Sequence, residues 1–260
     1  MRKRAKSSAK IARTERSRVS AEEWQLRCEL AAAHRLVAHF VFVDMTYNHI
    51  SVRLPENPQH FLVKPDNQFM EQVTASSLVK YDVDGNRVMD SSYKASPAAY
   101  NLHAAVLKTR PDIQACVHTH SPANLAVSAQ KHGLLPITQQ AMRFYKRIGY
   151  HPYEGITEDF GERERITRHL ANNRALIMHN HGVLTVGKTA REAFILMKHL
   201  MEAAEIQLRM EATGGELIEI PPAIAKKTVA QYHKHDSGRG SADWPAYLRM
   251  LDKIDPSYRD

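Results

Sequence analysis

A chain of 260 residues can bury a full core, and its 43% hydrophobic and 25% charged content is that of an ordinary globular protein. No apolar run nears the roughly 20 residues that span a bilayer, and the two distant cysteines, Cys28 and Cys116, give no disulfide framework. The net charge of +8 looks like a nucleic-acid footprint until it is located: residues 1–18 hold eight Lys/Arg and one Glu, so seven of the eight positive charges sit in that segment. The body is near neutral and lacks the interleaved aromatics of a nucleic-acid platform, so no nucleic-acid partner is expected. With no apolar signal block at the N-terminus, the expectation is a cytoplasmic protein with no membrane partner.

Residues 1–19 read as a basic disordered tail. Ser20 and Glu23 form a capping box that opens a helix to about residue 40, with Leu26, Leu30, Ala33, Leu36, Val37 and Phe40 as its buried stripe. "NHISVRL" and "HFLVK" read as paired strands, and "SLVKYDV" as a third that ends at the turn "DGN". Ser96-Pro97 starts a helix that stops before Arg110-Pro111. "QACVHTH" is a buried strand, followed at Ser121-Pro122 by another helix. A loop-rich stretch after Gly133 leads to an amphipathic helix in "FGERERITRHLANN". "RALIMHNHGVLTVG" is strand, glycine break and strand, and Thr189 caps a long helix over roughly 190–212. The tail of the chain, 216–260, reads as a helical extension, with Trp244, Leu248 and Leu251 on one side of its last helix. Strands joined by short turns and interleaved with helices predict an α/β domain over 20–215, a mixed sheet layered between helices.

Two histidine pairs carry the chemistry. Along a strand, residues i and i+2 share a face, so His118 and His120 present two imidazoles side by side. His179 and His181 end another apolar strand, just before Gly182, whose missing Cβ permits close backbone approach. If the two strand ends are neighbours, His179 or His181 completes a three-imidazole set with open positions on a divalent ion, the layout of a catalytic rather than a closed site.

"TYNHIS", "VTASSLVKYDVDGN", "RPDIQACVHTHSPANLAVSA", "GLLPIT", "HNHGVLTVG" and "AAEIQLR" resemble the class II aldolase/adducin family, nearest to its adducin-like branch; the match runs from about Trp24 to Glu211. The resemblance implies an αβα domain with a central sheet, a homotetramer with sites at subunit boundaries, and a divalent metal held by His118, His120 and His181. Zinc is the first expectation for that metal, with Fe2+ or Mn2+ as alternatives.

The sequence also departs from the family. Sugar-phosphate aldolases of the family carry an acid four residues before a helical histidine; here that histidine is His103 and the acid's place is Ala99. The phosphate-binding serines become Ser96-Pro97, Pro97 has no N–H, and Asp66 would repel a phosphate. Asn48, Ser51 and Ser96 remain as candidate substrate-binding residues. The stretch 145–159 matches the family's substrate-pocket loop and offers Glu154, His151 and Tyr153 as acid/base candidates, while His49 and His103 are expected behind the ligands. The expected function is lyase chemistry on a small, non-phosphorylated carbonyl or hydroxy-carbonyl substrate, with the metal as Lewis acid. Two other readings are a non-haem Fe(II) oxygenase or decarboxylase of a keto or aromatic acid, and an adducin-like non-catalytic interaction module.

Overall fold

The computed structural model describes residues 15–41, 44–156, 161–238 and 243–260; most of the basic tail expected over 1–19 lies outside them. A seven-stranded sheet forms the middle layer, built from β1 (His49–Arg53), β2 (His60–Val63), β3 (Val79–Asp82), β4 (Ala115–Thr119), β5 (Ile148–His151), β6 (Ala175–Met178) and β7 (Gly182–Gly187). Their order is β3-β2-β1-β4-β7-β6-β5, with every pairing antiparallel except β5 with β6. This is the mixed α/β sheet expected from the short connections.

Alternation of side chains divides the core in two. Ile50, Val52, Ala115, Val117, Ile177 and Val183 face one side, against α1 (Ala21–Phe40) and the long helix α5 (Ala190–Ala212). Cys116, Leu176, Met178, Leu184 and Val186 face the other, against α2 (Pro97–Thr109) and α4 (Glu162–Leu170). The short α3 (Pro122–Ser128) leads away from β4 beneath α5. His49, Ser51 and His118 lie opposite one another across β1 and β4 on the α2 side, because His49 pairs with His118 and Ser51 with Cys116. Thr119 points the other way and donates to Met197 Sδ in α5.

Ser20 caps α1 by accepting from the Glu23 amide, but Glu23 does not reach back to complete the box. Its buried carboxylate takes Arg27 at 2.9 Å and Lys80 at 2.5 Å instead, and Arg27 donates on to the carbonyls of Ala75 and Leu78. A local cap has been traded for a tie between α1 and the sheet edge.

One strand went unread in the sequence. β5 is four residues long and includes Gly149, where a Cβ would fall 2.1 Å from the His169 carbonyl; four residues with a glycine carry little periodicity. Helix α6 (Pro222–Gly238) lies in the helical extension expected over 216–260; it is polar on nearly all sides, so no apolar stripe marks its bounds. Helix α7 (Asp243–Ile254) buries Trp244 and Leu251 against the core that α1 and α5 share, with Leu248 packed beside them. Beyond it, the amides of Ala75 and Ser76 donate to the carbonyls of Tyr258 and Asp260, and Arg35 pairs with Asp255 at 2.8 Å. Tyr258 is buried with its hydroxyl on Asp252, and Tyr247 packs against Phe40 and Phe194. Among the described residues, no helix is long and apolar enough to cross a membrane.

His34, on α1, is fully buried: its Nδ1–H donates to the Leu30 carbonyl, and Nε2 has no partner among the described residues. Burial pushes its pKa down to about 3. The folded state therefore holds this imidazole neutral while the unfolded chain protonates it near the ordinary histidine value of about 6.5. The unfolded state binds more protons below that value, so stability falls as pH drops through the window from 6.5 toward 3. At about 1.36 kcal/mol per unit, His34 alone should cost roughly 2 kcal/mol by pH 5. Denaturant melts at pH 7 and pH 5 should show that loss in the wild type and a shallower one in His34→Leu; identical slopes would remove His34 as a cause.

Candidate metal centre

Register brings the ligand candidates together. β4 and β7 run antiparallel with His118 opposite Leu184 and Thr119 opposite Val183, so His120, just past β4, lies beside the turn that precedes β7. That turn is a hairpin from β6, with Met178 opposite Gly182 and Asn180 at φ +57°, and it carries His181 into the same space. The three rings form a near-equilateral group, with centroids 4.7, 5.2 and 5.2 Å apart. One nitrogen from each of His118, His120 and His181 lies within 4.8 Å of the others. His179 takes no part: its Nδ1 donates to the Ser128 carbonyl at 2.7 Å and its ring stacks on Tyr150.

The outer nitrogens decide what the inner ones are. His118 Nδ1 lies 3.0 Å from the Val183 carbonyl, an acceptor only, so Nδ1 carries the proton and Nε2 is a lone pair. His120 Nδ1 faces the Asp44 carboxylate at 3.4 Å, which favours the same tautomer. The two Nε2 atoms nevertheless approach to 2.9 Å. Two lone pairs at that distance repel each other unless a cation sits between them. Nor does a proton readily fill the role: burial and the neighbouring imidazoles hold His118 well below the ordinary histidine range and bring His181 to about 4. Three neutral imidazole donors facing one point fit a divalent ion of the zinc type, with room for a further ligand.

Glycine at 182 is a steric requirement. Its φ is +153°, and a Cβ there would fall 2.7 Å from the Thr119 carbonyl oxygen and 2.8 Å from the His120 ring.

Behind the ligands lies a second set of buried polar groups. His103 on α2 bonds Ser51 Oγ through Nδ1 and His49 Nδ1 through Nε2, the latter at 2.8 Å. His49 in turn stacks on His118, with centroids 5.0 Å apart. Burial lowers the pKa of His103 to about 3 and holds His49 far below its usual value, so this chain is neutral and fixes ring orientation through hydrogen bonds. Toward the Asp44 turn, the buried Asn48 Oδ1 accepts from the Asp44 amide at 2.7 Å, and the buried Lys64 donates through Nζ to the carbonyls of Thr46 and Pro65. Asp44 and Lys64 thus shape the turn beside His120. Neither stood out in the sequence, where an acid four residues before an asparagine and a lysine at a strand end are unremarkable.

A sequence profile describing the class II aldolase and adducin N-terminal domain matches residues 28–208. This chain belongs to the class II aldolase/adducin family. It is 41% identical over 247 residues to a Pseudomonas aeruginosa protein provisionally named an aldolase class 2 protein, covering 94% of this chain and 95% of that one. It is 37% identical to rat alpha-adducin over 88% of this chain, and it spans 33% of that longer protein. Among solved structures, an aldolase II superfamily protein from Pseudomonas syringae superposes with a TM-score of 0.88 at 38% identity, covering 94% of this chain and 99% of that one. L-fuculose 1-phosphate aldolase from Glaciozyma antarctica superposes at 0.81 with 27% identity, covering 92% and 94% of the two chains.

Several other site candidates of this aldolase-family chain lie apart from the three imidazoles. Ala99, in the place of the acid, is buried on α2, whose first turn holds no acidic residue. Ser51 faces the site but spends its hydroxyl on His103. Ser96 caps α2 seven residues before His103, about 10 Å along the helix axis. His151 and Glu154 form a separate group with Glu162. There His151 is buried between Glu162 at 3.2 Å and His169 at 2.8 Å, and Glu154 pairs with Arg165, which holds its carboxyl below the usual range. Tyr153 projects from the segment after β5 with 55% of its surface exposed.

Replacing Gly182 by alanine should displace the His181 turn or the His120 ring. Zinc titration of Gly182→Ala should show at least tenfold weaker binding with an unchanged far-ultraviolet circular dichroism spectrum. Wild-type affinity would mean that the close approach is not needed for the centre.

Proposed function

We propose that the chain is a metal-dependent lyase of the class II aldolase type, in which His118, His120 and His181 hold one divalent ion, zinc in the first instance. The observation that carries this reading is the pair of Nε2 atoms at 2.9 Å whose protons are committed outward, to Val183 and toward Asp44. When bound, such an ion supplies Lewis-acid stabilisation of the negative charge that develops on a carbonyl oxygen as a bond beside it breaks.

The protein's own residues supply the rest. Asp44 orients His120, the Val183 carbonyl and the stacked His49 orient His118, and the buried Nδ2 of Asn48, which meets no acceptor among the described residues, is assigned to donate to a substrate oxygen. Of the three acid/base candidates, His151 and Glu154 are engaged by Glu162, His169 and Arg165, so Tyr153 is assigned the proton transfer. Its phenol is exposed at the same end of the sheet as the triad. Met45, Tyr47 and Ile156 are exposed at that end too, an apolar border suited to a neighbouring subunit, so we assign the site to a subunit boundary in a homo-oligomer. The reading of a non-phosphorylated substrate is supported by Ala99, Pro97 and Asp66, which stand where the family resemblance implies an acid and phosphate-binding groups.

The test begins with elemental analysis of protein purified without added metal, followed by assay of the zinc-loaded protein on a panel of small hydroxy-carbonyl compounds. One ion per chain, and cleavage that falls at least a hundredfold in His118→Ala, are expected. Cleavage that persists in metal-free His118→Ala would contradict the proposal. Oxygen uptake by the Fe(II)-loaded protein would move the site to the oxygenase reading, and an empty site without turnover would leave the interaction-module reading. For Tyr153→Phe, turnover should fall with zinc stoichiometry unchanged.

A further inference from the structure

The sequence offers two His-x-His pairs, and the candidate metal centre draws on three of those four imidazoles. His179, the one left over, stands two residues before the ligand candidate His181. In a continuous strand the two would share a face. Asn180 between them lies at φ +57°, in the left-handed region, so the chain turns over and the rings part. His181 meets His118 and His120, while His179 meets the end of α3 and Tyr150 of β5.

The socket that receives His179 is built from fixed parts. Its Nδ1–H donates to the Ser128 carbonyl at 2.7 Å. Ser128 ends α3, where a carbonyl needs a donor from outside the helix. The residue is fully buried, with its own hydroxyl on the Leu125 carbonyl at 2.8 Å. Tyr150 forms the other wall, stacked on the imidazole with centroids 5.6 Å apart and planes 23° from parallel. That phenol is itself held: its oxygen accepts from the Leu134 amide at 3.2 Å, and a Cβ on Gly133 would fall 2.4 Å from its ring. The same loop is tied to the buried Gln207 of α5, which donates to the Gly133 carbonyl at 3.0 Å and accepts from the Leu135 amide at 2.7 Å. The His179 amide completes the seat by donating to the His151 carbonyl at 2.8 Å.

We propose that His179 is a positioning residue for the metal centre: its hydrogen bond to Ser128 clamps the turn that carries His181 and so sets how tightly the third imidazole closes on the ion. The inference rests on the three-histidine reading of the site and adds to it a residue outside the ligand set. The turn is pinned at two points, His179 against α3 and Gly182 against the Thr119 carbonyl. His181 lies between them, its amide donating to the Met178 carbonyl at 3.1 Å. Without the first pin the turn can pivot about the second. A metal–nitrogen distance tolerates only about 0.2 Å, so a displacement of about 1 Å loosens the ligand. The two contacts of His179 are chemically separable: the bond to Ser128 requires a donor at the Nδ1 position, whereas the stack on Tyr150 requires only a flat ring.

The test compares His179→Phe, which keeps the ring and removes the donor, with His179→Asn, whose side-chain amide puts a donor back at the Nδ1 position. Zinc is titrated into each full-length, metal-free protein, and amide exchange over residues 179–183 is followed before zinc is added. His179→Phe should bind zinc roughly ten- to a hundredfold more weakly than the wild type, and its turn should exchange faster. His179→Asn should restore both properties. Cobalt(II) in place of zinc should give the wild-type visible spectrum in His179→Asn and an altered one in His179→Phe. His179→Gln, whose amide reaches the Nε2 position instead, should behave as His179→Phe and carries the test if that variant fails to fold. Wild-type zinc affinity in the donor-loss variants, equal weakening in His179→Asn, or unaltered exchange over the turn would each overturn the proposal. The two readings fail differently: zinc bound normally by the wild type and by His179→Phe defeats the clamp alone, whereas a wild type that takes up no zinc defeats the three-histidine centre and the clamp with it.

Discussion

Two imidazole nitrogens, His118 Nε2 and His120 Nε2, are held 2.9 Å apart with lone pairs facing each other. That is an unfavourable contact in an empty protein, and much of the surrounding structure sustains it. The Val183 carbonyl fixes one tautomer, Asp44 favours the other, and the close passage of Gly182 leaves the His120 ring little room to retreat. Under the proposed reading, a divalent ion held by the three neutral donors that converge from two strand ends compensates this contact.

The constraint reaches outward through the register of the sheet. Pairing of β4 with both β1 and β7 places His49, His118 and the His181 turn at one level, and a slip by one residue would send His118 to the α5 face. The helices enforce that register by burying apolar side chains on both faces, with Thr119 and Met197 on one side of β4 and Cys116 and Leu184 on the other. The opposite end of the same strands gathers arginines instead of histidines. The parallel β5–β6 pair is what brings Arg147 beside Arg174.

How much of this was legible in the sequence depends on the range of the signal. His118 and His120 could be read because the strand period of two is local, and the helices α1, α2 and α5 because their caps and apolar stripes are contained in single windows. The choice between His179 and His181 could not be made from spacing, since it rests on which imidazole the hairpin turn directs toward β4 and which it leaves to Ser128 and Tyr150. The same holds for the pairing of His103 with His49, which joins α2 to β1 across 54 residues. A short element such as β5 carries too weak a pattern to be recognised before the tertiary context supplies its partners, and the polar α6 could be read only as part of a helical extension, without its bounds. Ala99 was the opposite case: a departure plain in the sequence, which the structure leaves as a buried methyl group on α2.

The most direct measurement of the central claim is X-ray absorption spectroscopy of the zinc-loaded protein. The account predicts a first shell with three imidazole nitrogens at about 2.0–2.1 Å and one further light atom, falling to two imidazoles in His181→Ala. A shell dominated by carboxylate oxygens, or one unaltered by the loss of His181, would contradict it.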